Sequence, residues 1–167
     1  DYIFDHKFVY DEIGYNLKPI ELQAAIGNVQ MKKLDEIGSL RKRNHKLIVD
    51  IFKEYEEYFI LPKATPKSDP SWFTVALTIK ENAPFTRADI CTFLEANKVQ
   101  TRPYFAGNIM LQPGYEGIVD SKELIEKYPV ARKVTTDTFF IGCSPVITEE
   151  QISYVKTIVN KFFQNLK

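Results

Sequence analysis

The chain has 167 residues, of which 44% are hydrophobic and 26% are charged, so it can bury a core of its own and stay in solution. Its 22 basic residues balance 22 acidic ones, which excludes the strong positive field that proteins use to bind DNA or anionic lipid. No apolar run reaches the length of about 18 residues that a membrane helix needs. We therefore expect neither a nucleic-acid partner nor a membrane span.

The two cysteines, Cys91 and Cys143, lie far apart in the sequence. A chain of this length does not need disulfide bonds for stability, and the two positions lack the clustered spacing of a metal site or an iron–sulfur cluster. The simplest expectation is a pair of reduced, buried thiols in a cytoplasmic protein without a metal site.

The first feature along the chain that can bind a ligand is the segment from Gly14 to Pro19. Glycine permits a tight turn and proline suits the first turn of a helix, so a loop is predicted, followed by a helix from Pro19 to Leu34. Asn16 and Lys18 then lie just before the helix N-terminus, where free backbone N–H groups favour an anion such as phosphate. The alternative is an ordinary helix start with a solvated lysine.

Apolar residues within this first helix recur at amphipathic spacing and predict one packed face: Leu22, Ala25, Ile26 and Val29. Gly27 costs about 1 kcal/mol relative to alanine inside a helix, which suggests that another backbone packs close to it. A second, longer helix is predicted from Ile37 to Tyr55. Its triplet Arg41-Lys42-Arg43 is expected to be solvated. His45, without a partner at metal-ligand spacing, is expected to lie near the surface or to be lightly packed.

Strands and helices alternate after a loop at residues 62–70. The alternation in residues 73–79 predicts a strand with Phe73 on the same face as Val75, Leu77 and Ile79. Shorter strands are predicted at residues 99–102 and 138–142, with capping boxes at residues 86–89 and 148–151 and a helical region over residues 120–135 that breaks at proline 129. The pattern predicts an α+β domain with about three strands covered on one side by helices and preceded by a long helix.

The loop from Arg102 to Asn108 combines a strand end, a proline, two aromatic residues and a Gly-Asn pair. Such a loop can direct a guanidinium and an amide at a ligand, and the guanidinium of Arg102 can bind phosphate or sugar hydroxyls. The alternative is a structural ion pair at a strand end. For Trp72 and Phe73, core packing and ligand contact both remain open.

Several of these segments resemble one family. Gly14-Tyr15-Asn16-Leu17-Lys18 followed by Gln23-Ala24-Ala25-Ile26-Gly27 resembles the block after the cofactor-anchoring position in sugar aminotransferases and dehydratases of the DegT/DnrJ/EryC1/StrS family. Three further segments resemble most the branch that removes the 3-hydroxyl from CDP- or GDP-linked 4-keto-6-deoxyhexoses: Pro70-Ser71-Trp72-Phe73, Thr101-Arg102-Pro103-Tyr104-Phe105-Ala106-Gly107-Asn108 and Thr138-Phe139-Phe140-Ile141-Gly142. Starting at Asp5-His6-Lys7, the resemblance spans nearly the whole chain in order.

The resemblance implies a fold and a domain organisation. The expected fold is the small C-terminal domain of the fold type I transferases that depend on pyridoxal phosphate, with an antiparallel sheet. Residues 1–35 are expected to be a remnant of the large cofactor-binding domain, and residues 36–167 the small domain. Because the chain opens in mid-pattern without methionine, we expect it to be the C-terminal part of a longer enzyme.

The resemblance also implies a chemistry, namely a nucleotide-sugar 3-dehydratase of lipopolysaccharide deoxysugar biosynthesis that is a homodimer and uses pyridoxamine or pyridoxal phosphate. Asn16, Lys18 and Tyr15 are the expected contacts to the cofactor phosphate, across the dimer interface. The expected contacts to the sugar nucleotide are Arg102, Asn108, Trp72 and Phe105. The acid facing the pyridine nitrogen and the Lys or His that handles the proton lie upstream, so the fragment is expected to hold no catalytic residue, to be inactive alone and to bind no cofactor.

Two alternatives stay open. A nucleotide-sugar aminotransferase of the same family shares the Gly14-Tyr15-Asn16 block but normally keeps an upstream lysine that forms a Schiff base. A free-standing regulatory module that binds an effector is the other, because a fold alone does not identify a function.

Overall fold

The computed structural model describes residue 15, residues 17–115, residue 117 and residues 121–166. The predicted site residue Asn16 therefore lies outside the described residues, as does Asp5-His6-Lys7. The chain divides into two compact units, one ending at Leu34 and the other beginning at Asp35. In the part of the chain that the structure describes, no helix combines the length and the apolar character needed to cross a membrane.

The first unit contains one helix, α1 (Glu21–Met31), among its described residues. The backbone N–H of Ile20 donates to Gln23 Oε1 at 3.0 Å, which satisfies one of the free groups at the helix start. The helix ends earlier than predicted because Lys32 and Lys33 form a turn. Its apolar face is exposed, and a Cβ placed on Gly27 would meet no atom within 4 Å. The expected close backbone neighbour of Gly27 is therefore not found there.

The second unit contains a four-stranded antiparallel sheet with the strand order β1-β2-β4-β3. Its strands are β1 (Phe59–Ile60), β2 (Thr74–Ile79), β3 (Thr101–Pro103) and β4 (Thr138–Gly142). The α+β prediction is confirmed, but the strand count of about three is one too low. The missed strand, β1, has only two residues, so it is too short to show an alternation in the sequence.

Five helices accompany the sheet in the described residues: α2 (Leu34–Lys53), α3 (Arg87–Ala96), α4 (Ser121–Lys127), α5 (Pro129–Asp137) and α6 (Glu149–Gln164). Both predicted capping boxes are present. Thr86 N–H donates to Asp89 Oδ2 at 2.8 Å at the start of α3, and Thr148 N–H donates to Gln151 Oε1 at 3.0 Å at the start of α6. The break at Pro129 also occurs as predicted, between α4 and α5.

Three helices, α2, α3 and α6, cover one face of the sheet, which we call the inner face. The buried strand residues on that face are Val75, Leu77, Ile79, Phe139 and Ile141, and helix residues such as Phe52, Leu94 and Val159 pack against them. Because neighbouring strand residues point to opposite faces, Ala76 and Phe140 lie on the other face, which we call the outer face.

Phe73 does not follow the predicted alternation. The chain bends at this residue, and β2 begins only at Thr74. The Phe73 ring is 53% exposed and contacts Phe140, which belongs to the outer face. The strand period therefore does not extend back to Phe73.

Asn44 connects α2 to the segment between β4 and α6. Its side chain is fully buried, and its Nδ2 donates to the carbonyls of Ser144 at 2.7 Å and Ile147 at 3.2 Å. Its Oδ1 accepts from Arg43 Nε at 3.1 Å. A buried amide with three partners fixes one segment relative to another, because each lost partner would leave a polar group unpaired.

Asn44→Ala should lower the free energy of unfolding by about 2–4 kcal/mol, because it removes three hydrogen bonds and leaves two backbone carbonyls without their partner. Urea unfolding of the 167-residue chain measures this change. The matched control is Asn82→Ala, whose exposed amide donates only to the carbonyl of Glu57. It should cost less than about 1 kcal/mol. Equal losses for the two variants would contradict the structural role of Asn44.

Candidate functional site

Arg102 lies on the edge strand β3, directly opposite Phe140 of β4. Residues directly opposite each other in an antiparallel pair share a face, so Arg102 is on the outer face. Its side chain is exposed, and within the described residues it makes no ion pair. The guanidinium is therefore available to a ligand, and the ion pair considered from the sequence is not recorded.

The strand that carries Arg102 is held by the neighbouring residue Thr101. The backbone N–H and the hydroxyl of Thr101 both donate to Glu95 Oε1 of α3, at 3.1 and 2.8 Å. These two hydrogen bonds are the main reason why the pKa of Glu95 is lowered, and the charge of Arg102 contributes less. No pattern in the sequence predicted this contact, since Thr101 and Glu95 belong to different elements.

Four rings gather on the outer face beside Arg102, and we call them the aromatic cluster: Phe73, Tyr104, Phe105 and Phe140. The Phe105 ring centroid lies 5.5 Å from that of Tyr104, 5.7 Å from that of Phe140 and 6.0 Å from that of Phe73. Phe140 is buried beneath the others, whereas Phe105 is 64% exposed. The cluster thus offers exposed aromatic surface next to the exposed guanidinium of Arg102.

The loop after β3 holds Phe105 in an unusual backbone conformation. Its φ is +50°, which is uncommon for a residue with a side chain. The Phe105 N–H donates to the carbonyl of Pro103 at 2.7 Å, and the Gly107 N–H donates to that of Tyr104 at 3.2 Å. Non-glycine residues with positive φ persist only where their surroundings hold them and are frequent at functional sites.

Asn108, predicted to bind substrate, has a local structural role. Its Oδ1 accepts from the Met110 N–H at 3.1 Å and caps a 3₁₀ turn over Ile109–Leu111. Its own N–H donates to Thr135 Oγ1 at 2.9 Å. The side-chain oxygen is thus engaged, which leaves the NH₂ group as the part that can donate to a ligand.

Trp72, the fourth predicted substrate contact, packs against α2. Its ring stacks on that of His45 with centroids 4.6 Å apart, and its carbonyl accepts from Cys143 Sγ at 3.1 Å. These contacts support the packing role that the sequence left open for Trp72. Burial raises the pKa of the Cys143 thiol to about 11, so this thiol stays protonated near neutral pH.

The expectation that His45 lies near the surface was wrong. Its side chain is only 8% exposed, because Trp72 covers the ring. Within the described residues its Nε2 has no hydrogen-bond partner, and burial lowers the pKa of the imidazole below its ordinary value. The sequence did not indicate this contact, since Trp72 lies 27 residues away from His45.

Tyr15 and Lys18, the described members of the predicted cofactor set, are both exposed, and Tyr15 is 92% exposed. Their hydroxyl and ammonium groups are suitable donors for a phosphate. The first unit offers no enclosing pocket around them in its described part. If they contact a cofactor, other residues must form most of its binding site.

The second unit also has an open groove of about 740 Å³ between the start of α6, the end of β4 and the residues just before β3. Its lining includes Ile48, Lys98, Gly142, Glu150 and Tyr154. None of the predicted substrate residues lines it. The groove and the aromatic cluster are therefore separate features.

Comparison with known proteins identifies the family. The model of the DegT/DnrJ/EryC1/StrS aminotransferase family matches residues 4–160. The chain belongs to this family. It is 35% identical over 96% of its length to the lipopolysaccharide biosynthesis protein RfbH of Salmonella typhimurium, and 38% identical over 95% to the dTDP-4-dehydro-2,6-dideoxy-D-glucose 3-dehydratase of Saccharopolyspora spinosa. It spans about a third of each relative, 36% and 34%.

More distant relatives include aminotransferases and a regulator. The GDP-perosamine synthase of Escherichia coli is 24% identical, and the pleiotropic regulatory protein of Geobacillus stearothermophilus is 25% identical, each over 95% of the chain. Among solved structures, a GDP-4-keto-6-deoxymannose-3-dehydratase with bound GDP-perosamine matches with a TM-score of 0.76 at 23% identity, over 95% of this chain and 40% of that one. At this identity the match establishes the fold of this family member.

The burial of His45 predicts a specific pH dependence. Because the folded-state pKa lies below the ordinary value of about 6.5, the unfolded chain takes up the proton first as the pH falls. The neutral ring therefore contributes fully to the free energy of unfolding above about pH 6.5. This contribution is lost as the pH falls from about 6.5 to the folded-state pKa.

Between pH 7.5 and 5.5, the free energy of unfolding should therefore fall more in the wild type than in His45→Gln. The difference should be at most about 1.4 kcal/mol per pH unit, since one proton is involved. Urea unfolding of both proteins at both pH values measures this difference. Any contribution from His6 cancels, because His6 is present in both proteins. The burial account is contradicted by equal falls in the two proteins.

Proposed function

We propose that this chain is the C-terminal part of a nucleotide-sugar 3-dehydratase that depends on pyridoxamine or pyridoxal phosphate and removes the 3-hydroxyl of a 4-keto-6-deoxyhexose. The observation that carries the proposal is Arg102, which is exposed on the outer face beside the aromatic cluster and without an ion pair in the described residues. It lies in one of the three segments that most resemble the dehydratase branch.

The chemistry of this surface suits a nucleotide-linked sugar. The planar guanidinium of Arg102 can form two parallel hydrogen bonds to a phosphate, and the exposed ring of Phe105 offers apolar surface to a sugar or a base. The NH₂ group of Asn108 adds a hydrogen-bond donor. Trp72 remains in the proposed set of substrate contacts, although its ring stacks on His45.

The cofactor side of the proposal rests on the first unit. Asn16, Lys18 and Tyr15 would contact the cofactor phosphate of the other subunit in a homodimer, with residues 1–35 belonging to the large domain and residues 36–167 forming the small one. Exposed ammonium and hydroxyl donors fit a phosphate. When bound, the cofactor supplies the electron sink that allows a hydroxyl to leave beside a ketone.

In this proposal the described residues position the substrate and contact phosphate groups, and the resemblance implies that the Lys or His that handles the proton lies upstream of this chain. His45 is the one histidine among the described residues. It is buried against Trp72, and its ring contacts none of the four rings of the aromatic cluster. We therefore place the catalytic residue in the missing upstream part, and the chain alone should be inactive.

A nucleotide-sugar aminotransferase is the second candidate, because GDP-perosamine synthase is also similar over 95% of the chain. The two candidates predict different products. A dehydratase yields a sugar that keeps its 4-ketone and lacks the 3-oxygen, a two-electron reduction in which pyridoxamine phosphate would be the reductant and would end as pyridoxal phosphate and ammonia. An aminotransferase yields a sugar with an amine at carbon 4.

The test is to incubate the full-length protein with pyridoxamine phosphate and CDP-, GDP- and dTDP-linked 4-keto-6-deoxyhexoses, and to identify the products by mass spectrometry. The proposal expects loss of the 3-oxygen from one of these substrates. Formation of a 4-amino sugar alone would favour the aminotransferase, and turnover of none of them would favour the regulatory module.

In the same assay, Arg102→Lys should lower kcat/KM by about tenfold, because lysine keeps the charge but loses the two-point contact. The thermal midpoint should change little, since Arg102 makes no ion pair within the described residues. The matched control, Arg132→Lys, replaces another exposed arginine and should leave both quantities unchanged. A lowered midpoint with unaltered kcat/KM would remove Arg102 from the site.

A further inference from the structure

We propose that Thr135 is a positioning residue that sets the geometry of the loop from Pro103 to Asn108 and thereby the placement of Phe105 and Asn108 toward the substrate. The inference rests on the proposed function. It assigns a role to a residue that lies outside the loop and for which the sequence offered no motif.

The hydroxyl of Thr135 connects the loop to α5. Its Oγ1 accepts from the Asn108 N–H at 2.9 Å and donates to the carbonyl of Ala131 at 2.7 Å. A hydroxyl has one hydrogen to donate and lone pairs to accept with, so one atom serves both bonds. Asn108 is also the residue whose side chain caps the 3₁₀ turn that follows. The end of the loop is therefore fixed by this one side chain.

Gly107 meets Thr135 at the same point. Its φ is +61°, and a Cβ built on it would lie 2.3 Å from Thr135 Oγ1 and 2.8 Å from Thr135 Cα. The loop backbone thus approaches α5 so closely that only glycine fits. While Thr135 occupies this position, there is no space for a side chain at position 107.

Arg87 of α3 holds Thr135 in place from the other side. Its Nη1 donates to the carbonyls of Thr135 at 2.7 Å and Thr138 at 3.2 Å. Thr138 begins β4, and its carbonyl also accepts from the Tyr104 N–H at 3.4 Å. The loop is therefore attached at one end to β4, through the carbonyl of Thr138, and at the other end to α5, through the hydroxyl of Thr135.

The test compares five variants of the full-length enzyme, the fifth being Arg102→Ala. Thr135→Val keeps the shape and removes the hydroxyl, whereas Thr135→Ser keeps the hydroxyl. Gly107→Ala adds a methyl group on the loop that overlaps Thr135, so the loop and α5 must separate. Thr136→Val is the matched control, because Thr136 also donates to the carbonyl four residues earlier but is exposed and makes no recorded contact with the loop in the described residues.

Two readouts are measured: the hydrogen exchange rate of the Asn108 amide in the 167-residue chain, and KM and kcat of the full-length enzyme with the 4-keto sugar nucleotide that it converts. For Thr135→Val we expect exchange and KM to rise about three- to tenfold, with kcat within about twofold. Gly107→Ala should raise KM similarly. Thr135→Ser and Thr136→Val should resemble the wild type, and a purely structural role would not produce this selective change in KM.

An unchanged KM in a folded Thr135→Val enzyme overturns the inference, as does an equal rise in Thr135→Ser. If Thr135→Val does not fold, two other variants decide the question. The inference requires a raised KM in Gly107→Ala and a normal KM in Thr135→Ser. A normal KM in Gly107→Ala with a raised KM in Thr135→Ser overturns it. Arg102→Ala shows which claim fails. If it raises KM while Thr135→Val does not, the positioning role alone is wrong; if neither does, the substrate role of the loop is wrong as well.

Discussion

Strand β4 is the element on which the rest of the second unit depends. It pairs with β2 on one side and with β3 on the other, and its alternating residues serve both faces of the sheet. Phe139 and Ile141 enter the core under α2, α3 and α6, while Phe140 supports the aromatic cluster on the outer face. Burial of the inner residues fixes the register, since a shift by one residue would exchange the two faces.

This register links stability to the candidate site. Arg102 stands on the outer face because it is opposite Phe140, and Thr101 is tied to α3 because it is opposite Ile141. The loop that follows inherits its position from β4 through the carbonyl of Thr138 and from α5 through Thr135. A well-packed core therefore holds the loop, and a strained Phe105 backbone can be kept in place without contacts from a ligand.

The parts of the fold that the sequence predicted are those with a local cause. Both capping boxes, the break at Pro129 and the bounds of β4 follow from residues within a few positions of one another. The errors come from long-range or very short features. His45 is buried by Trp72 across the chain, β1 has two residues, and the bend at Phe73 ends an alternation that the pattern extended.

The same distinction applies to the site. Resemblance selected Arg102, Phe105 and Asn108, which the structure places on one loop and its preceding strand. It did not indicate that the Asn108 oxygen caps a turn two residues further along the chain. Nor did it indicate that Thr135 holds the loop and that Arg87 holds Thr135, because these two contacts cross 27 and 48 residues. Supporting residues of this kind carry no motif, since their role depends on where the fold brings them.

We propose that this chain positions substrate and phosphate groups, and that residues outside it enclose the cofactor. Titration with pyridoxal phosphate tests this division most directly, by following the cofactor absorbance of the 167-residue chain and of the full-length protein side by side. We predict a saturable absorbance change with one cofactor per subunit in the full-length protein and none in the 167-residue chain. Stoichiometric binding by the 167-residue chain would contradict the account.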